Sequence, residues 1–148
     1  MIVHQFDQAH SILNTFIAEI RDITIQKDPM RFRRNIERIG EILAYELSKT
    51  QDYAAKEVTT PLGTKPSFLC SDKLVLCSVL RAGLPLHHGI LSYFDGAENA
   101  FISAYRHHPN NDDAFEVIVK YFAAPSLEGK VLVLTDPMLA TEKTLENV

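Results

Sequence analysis

From Ile12 the apolar residues Leu13, Phe16, Ile17, Ile20 and Ile23 recur at intervals of three and four, the spacing that lines one face of a helix. An amphipathic first helix is predicted there. Asp28-Pro29 then supplies a capping side chain and a residue suited to a first helical turn, and Phe32, Ile36, Ile39, Leu43 and Leu47 continue at helical spacing. This predicts a second helix ending near Lys49. Its polar face carries Arg31, Arg33, Arg34 and Arg38, which read as a solvated helix face rather than an anion or nucleic-acid patch.

Beyond the helices the period changes. Thr59 to Ser67, with Pro61, Gly63 and Pro66, reads as turn or loop between short edge strands. Leu74-Val75-Leu76-Cys77-Ser78-Val79-Leu80 is nearly continuous apolar sequence, as expected of a central parallel strand covered by helices on both faces. Leu84, Leu86, Ile90 and Leu91 allow a short helix, and Ala100 to Tyr105 forms a second candidate strand. His107 to Asp113 is a polar loop, followed by a β segment over Phe115 to Phe122 that leaves the core pattern. A projecting, mobile hairpin is expected there. After Pro125, Ser126 and Gly129, Val131 to Thr135 is another buried strand, and Thr144 to Val148 resembles the start of a helix.

The pattern is therefore α/β: a largely parallel sheet flanked by helices. At 148 residues one domain is expected over 1–148, with N-terminal helices over 10–49 and a sheet core over 73–148. The net charge of -4 gives no general attraction to nucleic acid or an anionic membrane, so an anionic ligand must be held locally. Cys70 and Cys77 have neither CxxC spacing nor a matching histidine pair, which argues against a zinc site or disulfide framework. No apolar run approaches the roughly 18 residues of a membrane span, and no signal-peptide pattern opens the chain. A cytoplasmic setting is expected.

Three strand ends carry chemistry. They are Arg81-Ala82-Gly83, Arg106, and Asp136 with its following loop. In open parallel sheets ligands bind beyond the carboxyl ends of strands, where loops meet helix N-termini. Two arginines and a hydroxyl-binding carboxylate in one such crevice suit a sugar phosphate. His107-His108 with Asp112 and Asp113 form a weaker metal candidate, because adjacent histidines in a polar loop are usually solvated. His87-His88 read as helix surface.

The segment VLVLTDPMLAT resembles the phosphoribosyl diphosphate loop of type I phosphoribosyltransferases, in the form used by uracil phosphoribosyltransferases. RFR at Arg31 to Arg33, LAYE at Leu43 to Glu46, VLRAGL at Val79 to Leu84, AYR at Ala104 to Arg106 and KYF at Lys120 to Phe122 agree in order and spacing. Purine and orotate phosphoribosyltransferases ordinarily carry a second acidic residue where this chain has Thr135, which favours the uracil branch.

The resemblance implies that Arg81 and Arg106 hold the diphosphate of 5-phospho-α-D-ribose 1-diphosphate (PRPP) and that Asp136 takes the ribose hydroxyls. Pro137, Met138, Leu139, Ala140, Thr141, Glu142, Lys143 and Thr144 would wrap the 5′-phosphate. It further implies an unusual backbone near Arg81, Mg2+ carried with the diphosphate, a homodimer in which the N-terminal helices serve as interface elements, and transfer to uracil giving UMP. Successive amides at a helix start form an anion cradle, and guanidinium groups neutralise a leaving diphosphate. No protein nucleophile is needed.

Two departures qualify the expectation. Glu142 stands where the family loop has glycine. The family's uracil-recognition loop belongs to a C-terminal region beyond these residues, so the fold is expected to be C-terminally incomplete and the 148 residues alone to have little transferase activity. The alternative is a non-catalytic regulator of the same fold that senses PRPP or nucleotides or binds RNA.

Overall fold

The computed structural model describes residues 2–6, 8–107 and 116–137. Helix α1 (Ile12–Arg21) begins at Ser11, whose amide donates to Asn14 Oδ1 at 3.1 Å. A single 3₁₀ turn, Ile25–Lys27, leads into α2 (Pro29–Ser48). The Asp28 carboxylate accepts from the amides of Met30 and Arg31 at 3.0 and 3.1 Å. It thereby satisfies two donors that a helix start leaves unpaired, while Pro29 has no amide to satisfy. Both helices form where the apolar spacing predicts them.

The chain leaves α2 into an antiparallel hairpin, β1 (Tyr53–Thr60) and β2 (Gly63–Cys70), which forms a two-stranded sheet of its own. The predicted loop over Thr59 to Ser67 is thus too wide. Pro61 and Leu62 make the turn, Gly63 supplies the positive φ of 139° that follows it, and Pro66 sits inside β2 opposite Glu57. A proline is tolerated because each strand of a two-stranded sheet has an unpaired edge. Nearly every hairpin residue is exposed, Leu62 and Phe68 included.

The main sheet has the order β5–β4–β3–β6. Strand β3 (Leu74–Leu80) lies parallel to β4 (Glu98–His107) and β6 (Val131–Thr135), and β4 is antiparallel to β5 (Glu116–Ala123). Helix α3 (Leu84–Leu91) connects β3 to β4. The expected strand, helix, strand unit and largely parallel sheet are present. The expected hairpin is present: β4 and β5 pair antiparallel, and residues 104–107 and 116–119 pair with each other beyond Ser103, where β4 last pairs with β3; β1–β2 is a second hairpin in a sheet of its own. Of the polar loop expected over His107 to Asp113, residues 108–113 lie outside the described residues, as does the helix start expected at Thr144 to Val148.

Leu76 gathers Ile36 and Ala44 of α2 and Leu86 and Ile90 of α3 into one buried cluster; Val75, Cys77, Ala100 and Ile102 form a second. Strand neighbours alternate between faces, so these are the two sides of β3. Burying a side chain such as Leu76 stabilises the fold by about 1.5–3 kcal/mol. Helices were expected on both faces; among the described residues α2 and α3 gather on the Leu76 side. The arginine face of α2 is partly tied down, with Arg34 3.9 Å or less from Glu37 and Glu41 and Arg38 over the Phe16 ring. Arg33 faces elsewhere, into the cavity described next.

Candidate functional site

The parallel registers place Ser78 of β3 beside Thr135 of β6 and Leu80 beside Ser103 of β4. The three strands therefore point their carboxyl ends the same way, β3 and β6 ending there while β4 runs on to His107. Past Leu80, the Leu80–Arg81 peptide is cis, the unusual backbone expected at this point. The Gly83 amide donates back to Val79 O at 3.0 Å, and the His87 amide donates to Gly83 O at 2.8 Å as α3 begins. Arg81 and Ala82 are left exposed on this turn.

A Cβ on Gly83 would lie 2.8 Å from Val79 O and 3.0 Å from Thr135 O. Only a bare α-carbon lets the end of β6 close on the turn that presents Arg81. Asp136 and Pro137 follow directly, both half-buried.

Arg81, Ala82 and Pro137 line one cavity of about 540 Å³, walled by Phe32, Ile36, Leu84 and Pro85, with Arg33, Glu37 and His88 also contributing. The structure thus brings together Arg81, Pro137 and, from α2, Arg33. Asp136 lines a neighbouring groove with Thr135, Val133 and Leu134 of β6. Arg106 is on β4 opposite Val117, beyond the Leu80–Ser103 level. Met138, Leu139, Ala140, Thr141, Glu142, Lys143 and Thr144 lie outside the described residues, as do His108, Asp112 and Asp113 of the metal candidate. No group of three histidine, cysteine, aspartate or glutamate side chains suited to a metal occurs among the described residues.

Behind the site runs a buried polar chain that the sequence reading missed. His87, expected on a helix surface, is only 2% exposed. Its Nε2 is 2.7 Å from Asn99 Oδ1 and its Nδ1 is 2.7 Å from Ser78 Oγ, which in turn is 2.5 Å from Thr135 Oγ1. The ring also stacks on Phe101 at 5.1 Å. The available signal was Ser78, a hydroxyl in the middle of an apolar strand, which must find a partner once buried.

Burial holds the His87 pKa below its ordinary value; the Asn99 bond pulls the other way, and the neighbouring charge of His88 adds to the depression. The unfolded chain therefore takes up this proton first as pH falls. Stability from neutral His87 is complete above about pH 6.5 and is lost progressively below it, down through the depressed folded value. A thermal melt series from pH 7.5 to 5 should show a falling midpoint, and His87→Gln should flatten that slope. The lowered carboxyls of Glu19, bonded by Asn35, and Asp22, bonded by the Ile25 and Thr24 amides, lose their contributions only in a more acidic range.

A family model described as uracil phosphoribosyltransferase matches residues 8–148. The chain belongs to the uracil phosphoribosyltransferase family. A relative named uracil phosphoribosyltransferase from Porphyromonas gingivalis (strain ATCC 33277) is 53% identical over 137 residues, 93% of this chain and 63% of the relative. Another of that name, from Methanothermobacter thermautotrophicus, is 41% identical over 120 residues, 80% of this chain and 54% of the relative. The solved structure of the AQ2163 protein from Aquifex aeolicus superposes with a TM-score of 0.81 at 31% identity, covering 99% of this chain and 67% of that one. The chain thus spans less than two thirds of the length of these uracil phosphoribosyltransferase relatives. Among the described residues no helix is long and apolar enough to cross a membrane.

Proposed function

We propose that the chain forms the PRPP-binding part of a uracil phosphoribosyltransferase acting in pyrimidine salvage. The observation that carries this reading is the placement of Arg81 and Asp136-Pro137 at the ends of adjacent parallel strands, at one sheet edge. Arg81 and Arg106 would neutralise the diphosphate, Asp136 would accept hydrogen bonds from the ribose hydroxyls, and Pro137 to Thr144 would enclose the 5′-phosphate.

The reaction forms a bond from a uracil nitrogen to the ribose anomeric carbon, with that nitrogen's proton released to solvent, and breaks the bond to diphosphate, which leaves with its electron pair. The ring carbon carries positive charge in the transition state, so charge placed around the leaving group and the ribose lowers the barrier. Magnesium enters as part of the substrate, bound to diphosphate oxygens, and no step is assigned to a protein-held ion. Cytoplasmic location and a homodimer complete the proposal; the exposed Ile12 on α1 and Met30 on α2 are compatible with an interface on the N-terminal helices.

Calorimetry with PRPP and magnesium tests the site. Asp136→Asn and Arg81→Ala should each weaken binding about tenfold or more, the worth of a hydrogen bond involving a charged group. Unchanged affinity in both variants would remove the site from this edge.

A further inference from the structure

We propose that Ser78, His87, Asn99 and Thr135 form a positioning network that fixes the end of β6, and hence Asp136, against the turn carrying Arg81. The four residues come from four elements, β3, α3, β4 and β6. Thr135 immediately precedes Asp136, and Ser78 is followed two residues later by the Leu80–Arg81 peptide. The network is thus attached to both candidate ligand-binding strand ends; none of its residues lines the cavity of Arg81 and Pro137, while Thr135 shares the neighbouring groove with Asp136.

Its hydrogen bonds can run in only one direction while His87 is neutral. Asn99 Oδ1 has no hydrogen to give, so His87 Nε2–H donates to it. His87 Nδ1 must then accept, and the donor is Ser78 Oγ–H. Ser78 has spent its hydrogen, so Thr135 Oγ1–H donates to Ser78, with the Cys77 carbonyl at 3.3 Å as the weaker partner. Each bond dictates the next, and the Thr135 rotamer is set by the imidazole of α3.

Ser78, His87 and Thr135 are at most 2% exposed, so bulk water is poorly placed to replace a missing partner. The contact is also close at the backbone, since a Cβ on Gly83 would lie 3.3 Å from Ser78 Cβ and 3.0 Å from Thr135 O. A hydroxyl-directed clamp, rather than apolar contact alone, therefore aligns the two strand ends.

The inference rests on the proposed PRPP site, and its test separates the two. In the unaltered chain, long-range 1H–15N spectra should show a protonated Nε2 and a bare Nδ1 on His87. Thr135→Val, close in shape but without the hydroxyl, should fold, shift the amide resonances of both Arg81 and Asp136, and weaken PRPP binding about tenfold. Thr135→Ser should restore the resonances and bring affinity within about twofold of the unaltered chain. Should Thr135→Val not fold, Ser78→Ala carries the same readouts.

A proton on Nδ1 of neutral His87, unshifted Arg81 and Asp136 resonances, or a serine variant no better than the valine one would each overturn the network's role. If the unaltered chain fails to bind PRPP, the proposed function fails by itself. The resonances and the tautomer then still decide whether the network positions the strand ends.

Discussion

Replacing Gly89 by alanine is expected to destabilise the chain severely, by about 3 kcal/mol or more, the upper part of the range for overpacked interiors. On helix propensity alone the sign would be opposite, since alanine is favoured over glycine by about 1 kcal/mol in a helix interior. Tertiary contact reverses it. A Cβ at Gly89 would collide with Glu37 O and stand 2.9 Å from Glu41 N, both backbone atoms of α2. A Cβ at Gly40 would similarly meet Leu86 O at 2.6 Å.

The helices thus touch backbone to backbone at Gly40 and Gly89, and a methyl group must push them apart. Separation would open the cluster of Ile36, Ala44, Leu76, Leu86 and Ile90. A domain stable by about 5–15 kcal/mol loses a large fraction of that margin. Urea denaturation should show a strongly lowered midpoint or no folded baseline. Gly96→Ala, where no atom lies within 4 Å of the added carbon, should be nearly neutral. Equal effects at the two sites would refute the close helix contact.

The second large effect is expected at Glu142, six positions after Asp136 and outside the described residues. The resemblance of DPMLAT to a phosphoribosyl diphosphate loop implies glycine at that position, where backbone would approach phosphate. A non-glycine residue forced to positive φ costs roughly 1–2 kcal/mol. A carboxylate about 5 Å from one phosphate charge adds on the order of 3 kcal/mol of repulsion at an effective dielectric of about 20. Glu142→Gly should therefore tighten PRPP binding by about a hundredfold or more, with Lys143 and a solvent-turned Glu142 reducing the gain. Calorimetry on the two chains decides it: equal dissociation constants would remove Glu142 from the phosphate's surroundings.

The elements most legible in the sequence were those whose burial writes a period. Leu74 to Leu80 coincide with β3 and Leu84 to Leu91 with α3, because a buried strand and a core-facing helix need apolar residues. Val131 to Thr135 coincide with β6, but the burial expected there is not found: Val131, Leu132 and Leu134 are exposed and only Thr135 is buried. The β1–β2 hairpin left little such trace. Its side chains are almost all exposed, so no face demanded apolar alternation, and Pro66 read as a loop marker although it occupies a strand edge. Asn35 was also hidden: it sits on the polar side of the predicted α2 pattern, yet is fully buried because its amide donates to Glu19 of α1 at 2.6 Å.

The candidate site divides in the same way. Arg81, Arg106 and Asp136 were singled out by their places after apolar strands and by the resemblance of DPMLAT to a phosphoribosyl diphosphate loop. The sequence by itself determined the family and the α/β class and pointed to the strand ends now proposed to hold an anion, since these readings follow from local order along the chain. Only the tertiary structure decided that His87 is buried, that Thr135, Ser78 and Asn99 meet it, and that Arg81 and Pro137 share a cavity while Asp136 lines the next groove. Those facts depend on strand order and register, which bring Ser78 and Thr135 within 2.5 Å although they are 57 positions apart. The two glycine contacts belong there too, because a missing side chain records that space is short without saying what fills it.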